Sequence, residues 1–150
     1  MIQLVILIIV FVGMEFTAWF MHKYLMHGLM WYFHRDHHQG KKGFFEKNDF
    51  FFLIFAIPSM LLMIAGSVLN FPILNWLGTG IAIYGGAYFL VHDVYIHRRF
   101  KLLGPSNHWY FRAIKKAHQT HHSHLDKDES ECFGMLFVPL KYFREAINEK

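Results

Sequence analysis

Residues 50–91 run for 42 residues without a single Asp, Glu, Lys or Arg. A helix needs about 20 apolar residues to cross a bilayer, so this stretch is long enough for two crossings. "LNFP" at 69–72 interrupts it near the middle, where Asn70 and Pro72 both favour a turn. A second stretch at 1–21, "MIQLVILIIVFVGMEFTAWFM", carries one charged residue, Glu15. It has neither a basic start nor a small-residue cleavage site, so it reads as a span and not as a secretory signal. These lengths predict an all-α integral membrane protein with about three to four transmembrane helices. Spans are expected at about 1–21, 50–69 and 72–91, within a single membrane-embedded domain over 1–150. Glu15, an ionisable group inside a span, is a functional candidate by position alone.

The basic residues set an orientation. All 15 Lys and Arg lie at 23–47 or 98–150, and none lies in the 69–72 turn. The positive-inside rule then places both basic stretches in the cytoplasm. Every histidine lies at 22–38 or 92–124, so a histidine-rich helical cap is expected on that same face. The net charge of +4 would suit nucleic acid in a soluble chain, but with 54% hydrophobic residues the expected partner is membrane lipid and not nucleic acid. Beyond residue 92, "FKLLGPSN" at 100–107 reads as a loop in which Ser106 or Asn107 caps a helix running to about 124. "HLDKDESE" at 124–131 reads as a polar loop. "FGMLFVPL" at 133–140 is too short to span and reads as interfacial or re-entrant. "KYFREAINEK" at 141–150 reads as a short surface helix. Cys132 is the lone cysteine, which rules out an internal disulfide and leaves it an apolar filler.

The chain has 12 histidines. Ten fall in four boxes: His22-x4-His27, His34-x2-His37-His38, His92-x4-His97 and His118-x2-His121-His122. One pair of boxes precedes the 50–91 hairpin and one follows it. In H-x2-H-H the side chains sit at i, i+3 and i+4, within about 100° of one helix face, so three imidazoles can converge. In H-x4-H the two lie about 140° apart on a regular α-helix and cannot easily share an ion. They would serve two ions or flank a helix break, which Gly28 offers. An unbroken helix from His22 to His38 would also be about 24 Å long, so the chain must fold back. Imidazole suits Fe, Zn, Cu and Ni, and ten are too many for one ion. No Glu precedes a His by three, as it does in soluble carboxylate-bridged bundles. Asp36 and Asp93, inside boxes, are candidates to orient imidazoles through the second ring nitrogen. His124 falls off the ligand face, beside the site or toward solvent, and His108 is not expected to ligate.

The boxes, with "HRDHHQGKKGFFEKNDFF" at 34–51, "HDVYIHRRF" at 92–100 and "AHQTHHSHLDKDESECFGMLFVPL" at 117–140, resemble the membrane-bound fatty acid hydroxylase superfamily. Within it the likeness is to the bacterial β-carotene hydroxylases. "FEKND" and "FGMLF" carry the narrower match. The resemblance implies a non-haem di-iron monooxygenase in the bacterial inner membrane, with its metal site on the cytoplasmic side. It implies that O2 serves as co-substrate and that β-carotene is hydroxylated at carbon 3 of its rings, giving β-cryptoxanthin and then zeaxanthin. The implied ligands are His22, His27, His34, His37, His38, His92, His97, His118, His121 and His122, holding two iron ions, with zinc a contaminant of isolated protein. The implied electron donor is a ferredoxin with its reductase. Arg98, Arg99, Lys101, Arg112, Lys115 and Lys116 would offer it a basic surface, or else meet lipid headgroups. A lipid-soluble carotenoid substrate fits a catalyst built from membrane helices. The same site would also serve a fatty-acyl or sterol hydroxylase or desaturase. A bis-His haem carrier needs only two histidines per haem, and a metal transporter would place its site near the bilayer midplane. Both fit the boxes poorly.

Overall fold

A computed structural model describes residues 1–39, 45–124 and 130–148. Residues 40–44, and 125–129 of the expected polar loop, lie outside the described residues. Helices α1 (Ile2–Leu29), α3 (Lys47–Val68) and α4 (Pro72–Ile96) are long and apolar enough to cross a membrane. Helices α2 (Trp31–His38), α5 (Trp109–His122) and α6 (Leu140–Asn148) are shorter. No strand occurs among the described residues. Only 17% of the most apolar window of each long helix is buried inside the protein. Side chains such as Ile9, Phe16 and Leu61 stay exposed, so the remaining surface calls for lipid and not water as its solvent.

The two spans of the hairpin meet where "LNFP" was expected to turn. Asn70 takes φ 51°, a left-handed conformation that Asn tolerates, and Phe71 N–H returns to Gly66 O at 2.9 Å. Pro72 then opens α4, where its missing N–H costs nothing. The helices touch at their small residues. Ser59 Oγ–H donates to Gly78 O at 2.7 Å, and a Cβ on Gly78 would stand 2.6 Å from Ser59 O. A Cβ on Gly80 would stand 2.7 Å from Val10 Cγ1 of α1. Helix α4 is therefore the middle span, with α3 on one side and α1 on the other.

Two expectations change. The α5 cap is His108, whose Nδ1 accepts from Tyr110 N–H at 3.3 Å, while Ser106 Oγ accepts from His108 N–H at 3.2 Å. No fourth span forms among the described residues. Residues 133–137 stay non-helical, yet Phe133, Met135 and Leu136 are buried, the last two with Met14 of α1 and Tyr84 of α4. Backbone in that position must have its N–H groups satisfied internally. Glu15 does this: its Oε1 accepts from the N–H of Met135, Leu136 and Phe137 at 2.8, 2.8 and 3.1 Å. Farther on, α6 packs Tyr142 and Ala146 onto Ala113, Ile114 and Ala117 of α5, with Cys132 filling the same core. Arg112 Nη2 donates to Ala146 O.

Gly78→Val should lower the thermal stability of the detergent-solubilised protein by about 2 kcal/mol, because the added atoms meet α3 backbone. Gly85→Ala, with open space around its Cβ, should leave the melting curve in place. Equal effects of the two would contradict the hairpin packing.

Candidate metal centre

The end of α1 and the end of α4 share an unusual backbone. Residues Met21–Leu29 and Leu90–Ile96 are π-helical. In a π-helix residue i+5 bonds back to residue i, so the two stack one turn apart. His97 N–H donates to His92 O at 2.9 Å, and the two rings lie 4.5 Å apart. The His22 and His27 rings lie 5.2 Å apart. The H-x4-H spacing is therefore adjacency on a π-turn, where a regular α-helix would separate the two. The break at Gly28 (φ −121°, ψ −114°) does the other task. It folds α2 back so that the His34 and His38 rings come within 5.0 and 4.8 Å of His27.

Nine imidazoles gather in two groups, each with ring nitrogens within 4.8 Å of one another: His22, His27, His34, His38 and His121, then His37, His97, His118 and His122. Each H-x2-H-H box divides between them. The box on α2 sends His34 and His38 to the first group and His37 to the second, and the box on α5 sends His121 to the first and His118 and His122 to the second. The arc of about 100° on each helix thus straddles two centres instead of filling one. The groups adjoin where His38 and His122 stack at 4.3 Å. His92 packs its ring 4.7, 4.5 and 5.0 Å from His37, His97 and His118. Its nitrogens do not join the converging set, and its Nδ1 lies 3.2 Å from Asp93 Oδ2.

Within the groups, nitrogen faces nitrogen. Nε2 pairs stand 3.0 Å apart for His22–His34, 3.1 Å for His34–His38, 3.1 Å for His27–His121 and 2.8 Å for His97–His118. The opposite nitrogens are held from outside. Nδ1 of His22 meets Phe133 O at 3.0 Å and Nδ1 of His121 meets Glu131 O at 3.0 Å. Nδ1 of His34 meets Asn48 Oδ1 at 2.7 Å and Nδ1 of His37 meets Glu46 Oε2 at 2.9 Å. Each acceptor takes the Nδ1–H, which fixes the tautomer and turns the Nε2 lone pair inward. Burial holds the rings neutral. It lowers His34 to about 2, His97 to about 2, His121 to about 3 and His122 to about 4, with neighbouring imidazoles adding to the effect at each. The His37–Glu46 contact is accordingly an N–H of a neutral ring on a carboxyl oxygen, since burial also takes His37 well below the usual range.

The donor set fits metal. Two nitrogens bound at right angles to one ion, each about 2.1 Å away, stand about 3 Å apart, as these pairs do. Nε2 of His37 and Nε2 of His122, both in the second group, are buried without a hydrogen-bond partner. Each such nitrogen costs about 1–3 kcal/mol unless something accepts its lone pair or takes its proton. Neither group contains a thiolate or carboxylate among the described residues, and all-imidazole donors suit first-row ions such as Fe and Zn.

The other predicted residues fall as follows. Asp93 touches His92 and also accepts from Arg99 Nη1 at 2.7 Å. Arg99 binds Asp49 with both terminal nitrogens, at 2.7 and 2.9 Å. This turns it inward to tie α3 to α4, away from the basic surface expected of it. Arg112 and Lys116, the latter 3.0 Å from Glu145, are likewise occupied with α6. Asp36 Oδ2 accepts from Lys47 N–H at 2.9 Å and meets no imidazole. His124 bonds Ser123 Oγ and Thr120 O. Glu46 and Asn48 were missed as imidazole partners, although "FEKND" contains both. Eight and ten residues beyond His38, their return to the box could be read only from the family motif.

Fold and site together define an integral membrane protein with a polyhistidine metal centre at one end of its spans. The fatty acid hydroxylase family model matches residues 7–143, and the chain belongs to that family, which makes it a hydroxylating oxidoreductase. It is 39% identical over 134 residues to a β-carotene hydroxylase of Pantoea ananas, covering 89% of this chain and 76% of that protein. It is 34% identical to the β-carotene hydroxylase of Paracoccus sp. (strain PC1), over 93% of this chain and 86% of that one. It is 38% identical to a chloroplastic β-carotene 3-hydroxylase of Gentiana lutea, over 85% of this chain and 40% of that one. No solved structure matches the chain.

Glu46→Ala should weaken metal binding at the second group by about 10–100-fold, the usual effect of removing an imidazole's outer partner. Metal titration of the purified protein would read this, and unchanged affinity would remove Glu46 from the site. Acid should act through the same rings once metal is stripped. Their folded values lie below the unfolded value of about 6.5, so stability is full above that pH. It is lost as pH falls from there toward about 4 and 3, where His122 and His121 titrate. Melting temperature against pH should decline below about 6.5 in metal-free protein, and a flat profile would contradict the burial.

Proposed function

We propose that the chain is a β-carotene 3-hydroxylase, converting β-carotene to β-cryptoxanthin and then zeaxanthin. The likeness to named β-carotene hydroxylases over 89% of the chain carries the choice of substrate. The ten box histidines are the proposed ligands of two iron ions, five from the first group and His37, His97, His118 and His122 with His92 beside them. Two bound irons supply, with O2 and two electrons, an oxidant strong enough for an unactivated C–H bond, which no side chain provides. The balance is one oxygen atom to the ring carbon and one to water, with two protons consumed. The chain's own residues prepare the site. The outer acceptors Phe133 O, Glu131 O, Asn48, Glu46 and Asp93 fix the rings. Burial keeps water from the reacting carbon. The lipid-facing spans admit a substrate dissolved in the bilayer.

The electron donor is proposed to be a ferredoxin-type protein with its reductase. Of the six expected basic residues, Arg98 and Lys101 are exposed and Lys115 is half-buried. An acidic partner would meet these. The spans' basic ends support a bacterial inner membrane placement with the metal site toward the cytoplasm, and residues 1–150 would form one domain.

Expression in a bacterium that makes β-carotene tests the substrate, with the pigments separated by chromatography. Zeaxanthin and β-cryptoxanthin are expected, and His37→Ala should give neither while still inserting in the membrane. Unchanged β-carotene beside an iron-loaded protein would move the substrate to another lipid, such as an acyl chain or sterol.

A further inference from the structure

Glu15 is buried in α1, seven residues before the first box histidine. Both of its oxygens are engaged. Oε1 accepts the three N–H groups of Met135, Leu136 and Phe137, and Oε2 accepts from Tyr84 O–H at 2.7 Å. The strand of chain it grips ends at the metal centre. Two residues before Met135, the carbonyl of Phe133 holds His22 Nδ1. Two residues before that, the carbonyl of Glu131 holds His121 Nδ1. Gly134 is the joint between grip and carbonyls. A Cβ there would stand 2.7 Å from Phe137 O and 3.2 Å from Glu15 Oε1, so only glycine lets the segment close this tightly. The segment carries no regular structure to fix its own height along α1. His22 and His121 both belong to the first imidazole group, whereas Glu46, the outer partner of His37 in the second group, comes from elsewhere.

We propose that Glu15 is a positioning residue for the first metal site alone: by gripping the 135–137 backbone it sets the two carbonyls that orient His22 and His121. Tyr84 holds the far oxygen and so fixes the rotamer that faces the segment. A carboxyl group inside a span is thereby put to use as a template for backbone and not as a ligand or proton carrier. The inference rests on the two-metal reading of the centre.

The test is metal binding by the full-length protein in detergent micelles, titrated with ferrous iron under anaerobic conditions and read as ions per chain. Unsubstituted protein should hold two. Glu15→Ala should weaken one ion by about 10–100-fold, as loss of outer support does, and leave the other at its original affinity. Glu15→Asp, which keeps the acid but withdraws it by one methylene, should do the same in a milder background should the alanine variant fail to fold. Glu15→Gln keeps an oxygen for the three N–H groups and should retain both ions within about threefold, on the scale of those outer-support effects. Two ions at unchanged affinity in Glu15→Asp would overturn the proposal, as would equal weakening of both sites, which a general packing role would give. An unsubstituted chain that holds no ion would overturn both this proposal and the two-metal reading. Two ions there with an indifferent Glu15 would overturn this proposal alone.

Discussion

Imidazole nitrogens facing one another about 3 Å apart in a buried space are the constraint on which this structure turns. Where both rings give their Nδ1–H to outer acceptors, as His22 and His34 do, the facing lone pairs repel, and burial closes protonation as an escape at His34. His121 and His122 would need a pH near 3 and 4 to charge. Something positive must sit among them, or the arrangement costs several kcal/mol in unmet nitrogens. Metal ions answer that need without adding protons. The remaining architecture holds nine or ten rings in place against this cost.

That holding is done in layers. The π-turns at the ends of α1 and α4 stack each H-x4-H pair. The break at Gly28 brings α2 back over the end of α1. Outside the rings, oxygens from two separate segments, 46–48 and 131–133, take the Nδ1–H groups. Beyond those again, the Arg99 pair with Asp49 and Asp93 locks α3 to α4 beneath the second group. Each layer is a set of ordinary hydrogen bonds made strong by exclusion of water.

Much of this was legible from residues alone. Long uncharged stretches report membrane spans directly, because length and polarity are the whole requirement. The structure moves their ends by about three to eight residues, to Leu29, Lys47 and Ile96. The gathering of the box histidines followed from their collection at one membrane face. The π-turns were not legible, since an angle computed on a regular α-helix sets His22 and His27 apart. Nor was the division of each H-x2-H-H box, because one helix cannot report where a second group of imidazoles gathers. The grip of Glu15 on residues 135–137 joins positions some 120 apart in sequence, and spacing carries no trace of such a pairing. Ser106 and Asn107 were plausible caps by type, and His108 took the role because its ring nitrogen reaches Tyr110 N–H.

The most direct measurement is X-ray absorption at the iron edge on protein purified with its metal, together with iron counted per chain. The expected result is two irons per chain, nitrogen or oxygen neighbours only, and the outer-shell pattern of several imidazoles on each. A single iron per chain, a sulfur neighbour, or the signature of a porphyrin would contradict it.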